Sequence, residues 1–113
     1  MKYKVVLVPF PFDDLSSAKV RPAVCLTEPI SEHKHVVLAF ITSRVPNKPL
    51  STDIVFTESD KDFSATGLRV SSALQLHRMM TVATSVIVRE LGQLLPPAQK
   101  EVDAKLKLLF GIK

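Results

Sequence analysis

Val5-Val6-Leu7-Val8-Pro9-Phe10-Pro11-Phe12-Asp13-Asp14-Leu15-Ser16-Ser17-Ala18-Lys19-Val20-Arg21-Pro22-Ala23-Val24-Cys25-Leu26 is the stretch that decides the fold. Two apolar runs flank a short polar loop, and the loop ends in Arg-Pro. Apolar residues on both faces of Val5 to Phe10 predict a strand covered on both sides. Pro9 and Pro11 have no amide hydrogen for a ladder, so pairing ends or reaches an edge there. Asp13 to Lys19 reads as the connecting loop, and Pro22 to Thr27 as the second strand. An arginine entering a buried strand is costly unless its charge has a task. The strand pair therefore delivers one fixed cation to the mouth of a small barrel.

Working outward, Val36 to Thr42 is a third apolar run of strand length, rich in β-branched residues. Pro46, Asn47 and Pro49 make Arg44 to Ser51 a loop, and Asp53 to Thr57 a fourth strand. Glu58 to Thr66 is polar and ends at Gly67, a natural turn glycine. Leu68 to Val88 is β-prone, with strands around Arg69 to Leu76 and Met79 to Thr84. Ile87 to Leu91 reads either as a last strand or as the lead into a helix. Pro97 suits a first helical turn. Val102, Leu106, Leu109 and Phe110 form an apolar stripe at helical spacing, and Gly111 stops it. Many short strands with tight turns and one closing helix favour a mainly β (α+β) domain over residues 1–113, a small antiparallel barrel with a C-terminal amphipathic helix.

Composition narrows the function classes. A chain of 113 residues buries about two-thirds of its unfolded surface on folding, enough for one modest core. That core is aliphatic: hydrophobic content is 46%, with no Trp and one Tyr. Such a share suits an apolar interface, and a homodimer is expected. The net charge of +4 and pI near 9.4 permit a polyanionic partner, but the basic residues are scattered and form no arginine-rich arm. The one cysteine, Cys25, cannot form an intrachain disulfide, which suits a reducing cytoplasm. Its place in an apolar strand reads as small core residue rather than reactive thiol. Met1-Lys2-Tyr3-Lys4 runs into a short, proline-broken apolar segment, unlike a secretory signal. No apolar run approaches the roughly 20 residues that cross a bilayer. A soluble, cytoplasmic protein without a membrane partner is expected.

Three blocks in order resemble the MazF/PemK toxin family. The first is Val8-Pro9-Phe10-Pro11-Phe12 with the loop to Arg21-Pro22, and the second is Ala39-Phe40-Ile41-Thr42-Ser43. The third runs from Gly67-Leu68-Arg69-Val70 through Leu76-His77-Arg78-Met79-Met80-Thr81 to Val88-Arg89-Glu90-Leu91-Gly92-Gln93-Leu94. The resemblance implies an SH3-like or plug-type barrel, a homodimer, metal-independent cleavage of single-stranded RNA, and a cognate antitoxin whose flexible tail occupies the same groove. It implies no cofactor and no metal. Arg21 matches the family's active-site arginine, and Thr42 and Ser43 match the hydroxyl pair that contacts the scissile phosphate. Gln75 to Arg78 falls where relatives carry further catalytic polar residues. Some branches have Arg-x-Asp where this chain has Gln75 and His77, and others have glutamine where Arg78 stands. The first-loop histidine of some members is replaced by Ser16, Ser17 and Lys19. The implied site is therefore Arg21, Thr42 and His77 for chemistry, with Ser16, Ser17, Lys19, Ser43, Gln75 and Arg78 on the RNA.

RNA is cut when its 2′-hydroxyl attacks the neighbouring phosphate, provided the proton is removed, charge on the phosphoryl oxygens is neutralised, and the leaving oxygen is protonated. Arg21 suits the second task, because guanidinium stays charged and grips phosphate through two parallel donors. Thr42 and Ser43 donate to the same oxygens, and His77 is the acid or base candidate. Plainer readings stand beside these. Arg21 pairs with Asp13 or Asp14, Thr42 is an ordinary strand-end hydroxyl, and His77 is a hydrogen-bonded structural histidine. His33 and His35 beside Glu32 read as solvated, since no third ligand stands at a metal-binding spacing. Two other functions remain open. Phe110-Gly111-Ile112-Lys113 resembles the helix end of CcdB-like gyrase poisons, and the unusual Gln75 to Arg78 segment fits an inactive barrel that only binds.

Overall fold

A computed structural model describes residues 1–9 and 19–113. The apolar runs become strands β1 (Lys4–Pro9), β2 (Val20–Cys25), β3 (His35–Thr42), β4 (Asp53–Phe56), β5 (Ser72–Ala83) and β6 (Arg89–Gln93), followed by helix α1 (Pro96–Phe110). All the pairings are antiparallel, in one curled sheet ordered β4-β5-β3-β2-β1-β6. The sequence pattern predicts a small antiparallel barrel with a terminal helix, and the structure forms it as a curled half-barrel. The end of the first run at Phe10 and most of the loop from Asp13 lie outside the described residues.

Strand β1 is covered on both faces, as its unbroken apolar character requires. Val5 joins a cluster with Val24, Ile41 and Leu74, whereas Val6 and Val8 join Ala23, Cys25 and Leu38 on the opposite side. Helix α1 closes the first cluster by burying Val102 and packing Leu106 and Leu109 against it. Two polar contacts fix the helix: the Tyr3 hydroxyl donates to the Asp103 carboxylate at 2.6 Å, and Lys105 donates to the Asp53 carbonyl at 2.6 Å. Burial and the Asp103 bond push the Tyr3 phenol up to about 12.

Backbone contact joins the end strand β6 to the short 3-10 turn Phe63–Thr66. A Cβ on Gly67 would lie 2.1 Å from the Leu91 carbonyl oxygen, and one on Gly92 only 2.2 Å from that of Ala65. Gly67 also has φ of +73°, a conformation glycine adopts without strain. Only glycines let these segments meet.

The structure corrects two details and decides one alternative. Strand β5 is one element rather than two, and of the two readings of Ile87 to Leu91 the strand, β6, is the one formed. Pro97 lies in the first turn of helix α1, which starts at Pro96, as expected. Phe110 is 60% exposed, because a residue adjacent to Leu109 turns off the buried stripe.

Candidate active site

Two ladders stop at the same place. Strand β2 pairs with β3 only from Ala23 to Cys25, and Pro22 has no amide hydrogen to extend it. Strand β3 then runs on through Ile41 and Thr42 beside β5, but that ladder is itself interrupted. Ala39 is opposite Met79 and Ile41 opposite Leu74, so Phe40 faces the four residues Gln75 to Arg78. Such an interruption bends the strand and re-aims its side chains.

The gap is a cavity of about 270 Å³. Arg21 lines it from β2, Thr42 from β3, Ser43 and Arg44 from the turn beyond, and Gln75 and Arg78 from β5. The Thr42 hydroxyl oxygen accepts the Arg44 amide at 3.1 Å, which directs its own hydrogen elsewhere. Three guanidiniums and two hydroxyls meet here, and no carboxylate lines the cavity among the described residues. Such a donor set fits an anion. A second cavity of about 270 Å³ shares Arg21, Ile41 and Ser43 with the first and adds Arg69 and Arg89.

The sequence model of PemK-like, MazF-like toxins of type II toxin-antitoxin systems matches residues 1–110. The chain belongs to this family. Among solved structures, the Mycobacterium tuberculosis toxin MazF-mt6 is similar with a TM-score of 0.75 at 19% identity, over 97% of this chain and 98% of that one. An endoribonuclease bound to its cognate antitoxin from a mycobacterial species gives 0.75 at 13% identity, over 100% and 96%. The MazE-MazF structure from Deinococcus radiodurans gives 0.70 at 18% identity, over 99% and 95%. No curated protein sequence matches the chain.

Of the residues singled out by the MazF/PemK resemblance, Arg21, Thr42, Ser43, Gln75 and Arg78 line one cavity. His77 does not line it. Its side chain is 40% exposed, and its Nδ1 lies 3.9 Å from Oδ1 of Asp53 on β4. That carboxylate is buried: Oδ2 accepts the Leu50 amide at 2.9 Å, while Oδ1 has no hydrogen-bond partner. Lys19 is exposed just ahead of β2 and lines neither cavity. Ser16, Ser17 and the alternative Arg21 partners Asp13 and Asp14 lie outside the described residues.

In the sequence Arg44 reads by default as a solvated charge that could also track an RNA backbone, and Arg69, Arg89 and Asp53 carry no assigned role. No local motif marks these arginines as a group. Residues 44, 69 and 89 meet Arg21 only through strand register. The one sequence signal was indirect, since Arg69 and Arg89 both fall inside the third family block.

Proposed function

We propose that this toxin is an endoribonuclease that cuts single-stranded RNA without a metal ion. The 2′-hydroxyl oxygen bonds to phosphorus as the P–O5′ bond breaks, leaving a 2′,3′-cyclic phosphate and a 5′-hydroxyl. A base takes the 2′ proton, and the departing O5′ gains one. Arg21 clamps the phosphoryl oxygens as negative charge builds on them, and Thr42 and Ser43 donate to the same atoms. Gln75 and Arg78 track the RNA beside the cleaved bond, with Ser16, Ser17 and Lys19 on the approaching strand. The resemblance offers His77 for the proton exchange, but its imidazole lies outside the Arg21 cavity, 3.9 Å from Asp53, so Arg21, Thr42 and Ser43 carry the reading.

The observation that carries the reading is the gathering of Arg21, Arg44 and Arg78 with Thr42 and Ser43 where two ladders stop. Arg21→Ala is expected to slow cleavage of a fluorogenic RNA–DNA oligonucleotide by roughly 10²-fold or more. Unchanged cleavage by that variant, with native circular dichroism, would contradict the assignment. Wild-type activity is expected to persist in EDTA, because guanidinium and hydroxyl groups supply the charge stabilisation.

Its partners in this reading are a second copy of the chain, a cognate antitoxin and cytoplasmic RNA. Complexes with a cognate antitoxin among the structural neighbours support the antitoxin. A concentration-independent monomer mass in sedimentation would count against the homodimer. The gyrase-poison alternative keeps one supporting observation, the exposure of Phe110 and Ile112. The family match and an anion-fitting cavity favour phosphate chemistry over it.

A further inference from the structure

We propose that the second arginine-rimmed cavity is a nucleobase pocket that selects guanine in the nucleotide adjoining the scissile phosphate. The inference rests on the reading of the Arg21 cavity as the cleavage site. At about 270 Å³ the pocket has room for one base, and it shares Arg21 and Ser43 with the cavity next to it. A phosphate held at Arg21 therefore places its neighbouring base at this opening. Leu7, Ile41, Leu68 and Leu91 give the pocket apolar surface against which a base can lie flat.

Arg69 and Arg89 decide which base. Both side chains are donors only, and both line this cavity. Guanine presents two adjacent acceptors, O6 and N7, which match the planar fork of a guanidinium. Adenine and cytosine place an amino donor on the equivalent edge, facing guanidinium with no carboxylate lining the pocket among the described residues. Uracil offers no adjacent pair of that kind.

The wall is preorganised, which selectivity requires. The Thr66 hydroxyl donates to the Phe63 carbonyl at 2.6 Å and accepts the Leu68 amide at 3.1 Å. The Ser72 hydroxyl donates to the Val70 carbonyl at 2.8 Å. Gly67 sits against the backbone of Leu91, so the segment bearing Arg69 is braced on β6 beside Arg89.

The experiment has a binding arm and a cleavage arm. Guanosine 5′-monophosphate, titrated into ¹⁵N-labelled protein, is expected to shift the amides of Leu68, Arg69 and Leu91 and to bind roughly tenfold tighter than the adenosine, cytidine or uridine monophosphates. Arg69→Ala and Arg89→Ala, truncations of exposed side chains, are each expected to bring that ratio toward one. In oligonucleotides differing only at the nucleotides flanking the cleaved bond, wild type is expected to prefer guanine by a similar factor, and the two variants to lose the preference. Equal binding of all four monophosphates, or RNA cleavage with no guanine preference, overturns the pocket and leaves the cleavage reading intact. Selective guanosine binding at these amides with no RNA cut overturns the cleavage reading and supports the pocket.

Discussion

The two arginine-lined cavities and the cavity beside helix α1 carry opposite charge, and the segment from Phe63 to Ser72 lines both the second arginine cavity and the helix cavity. On one side Arg21, Arg44, Arg78, Arg69 and Arg89 surround two adjoining cavities without a carboxylate among the described lining. On the other, a cavity of about 280 Å³ is built on Ile54, Phe56, Phe63 and Leu94 and edged by Asp60, Asp62 and Glu101, with Lys61 as the one described cation. Bonds from the Thr57 amide and hydroxyl hold the Asp60 carboxyl below its usual range, so it stays charged. A net charge of +4 hides this division. Charges act over about 8 Å at physiological salt, so a polyanion meets the local field rather than the total.

The contrast breaks most visibly at Arg21. Its replacement by alanine is expected to remove roughly 10²-fold of cleavage, the largest effect of any single change outside the core. Next comes the wall that the two sides share. Gly92→Ala puts a methyl group 2.2 Å from the Ala65 carbonyl oxygen, where the obstacle is backbone and cannot swing aside. The expected cost is about 1–3 kcal/mol, read as a lower urea midpoint. An unshifted midpoint would mean that the turn and β6 are not pressed together.

Arg44→Gln and Arg78→Gln sharpen the comparison more gently. Each is expected to reduce the slope of log affinity against log salt for single-stranded RNA by about 0.7, as one phosphate contact is lost. An unchanged slope would place that arginine off the RNA path.

Alkaline pH probes both core clusters, through Tyr3 on the helix side and Cys25 on the opposite side. Folding favours the neutral Tyr3 phenol, so its contribution is complete below pH 10 and fades as pH rises toward about 12. Burial likewise pushes the Cys25 thiol from 9.0 up to about 11, so its contribution fades over that interval. The urea midpoint is expected to fall from pH 9 upward, and Tyr3→Phe to flatten the upper part of the fall. A midpoint level from pH 8 to 11 would contradict both. The smallest effect is expected at Glu101, which pairs with Lys105 at 3.2 Å on the helix surface. Glu101→Gln should change cleavage by less than about twofold, since exposed pairs contribute little.

The same division explains what was legible in the sequence. Strands β1 to β4 stood out because each is a short apolar run bounded by proline or polar turns, and the helix because Val102, Leu106 and Leu109 repeat at its period. Strand β5 reads as two in the sequence because His77 and Arg78 interrupt its apolar character. Those polar residues are where the β3–β5 ladder breaks, so a mistaken boundary marked the site. Arg21, Thr42 and Ser43 were legible through Arg-Pro and the strand-end hydroxyls. Arg69 and Arg89 were not, because only the curl of the sheet brings them to Arg21. His77 is grouped with Arg21 only by the family resemblance over Gln75 to Arg78, whereas the structure sets its imidazole 3.9 Å from Asp53 on β4.

The most direct test of the central claim is the identity of the ends produced when purified wild-type protein cuts a defined oligoribonucleotide in EDTA. The account predicts a 2′,3′-cyclic phosphate and a 5′-hydroxyl at each cut, with cleavage abolished by a single 2′-deoxy substitution at that position. A 5′-phosphate end, or undiminished cutting of the deoxy-substituted strand, would contradict it.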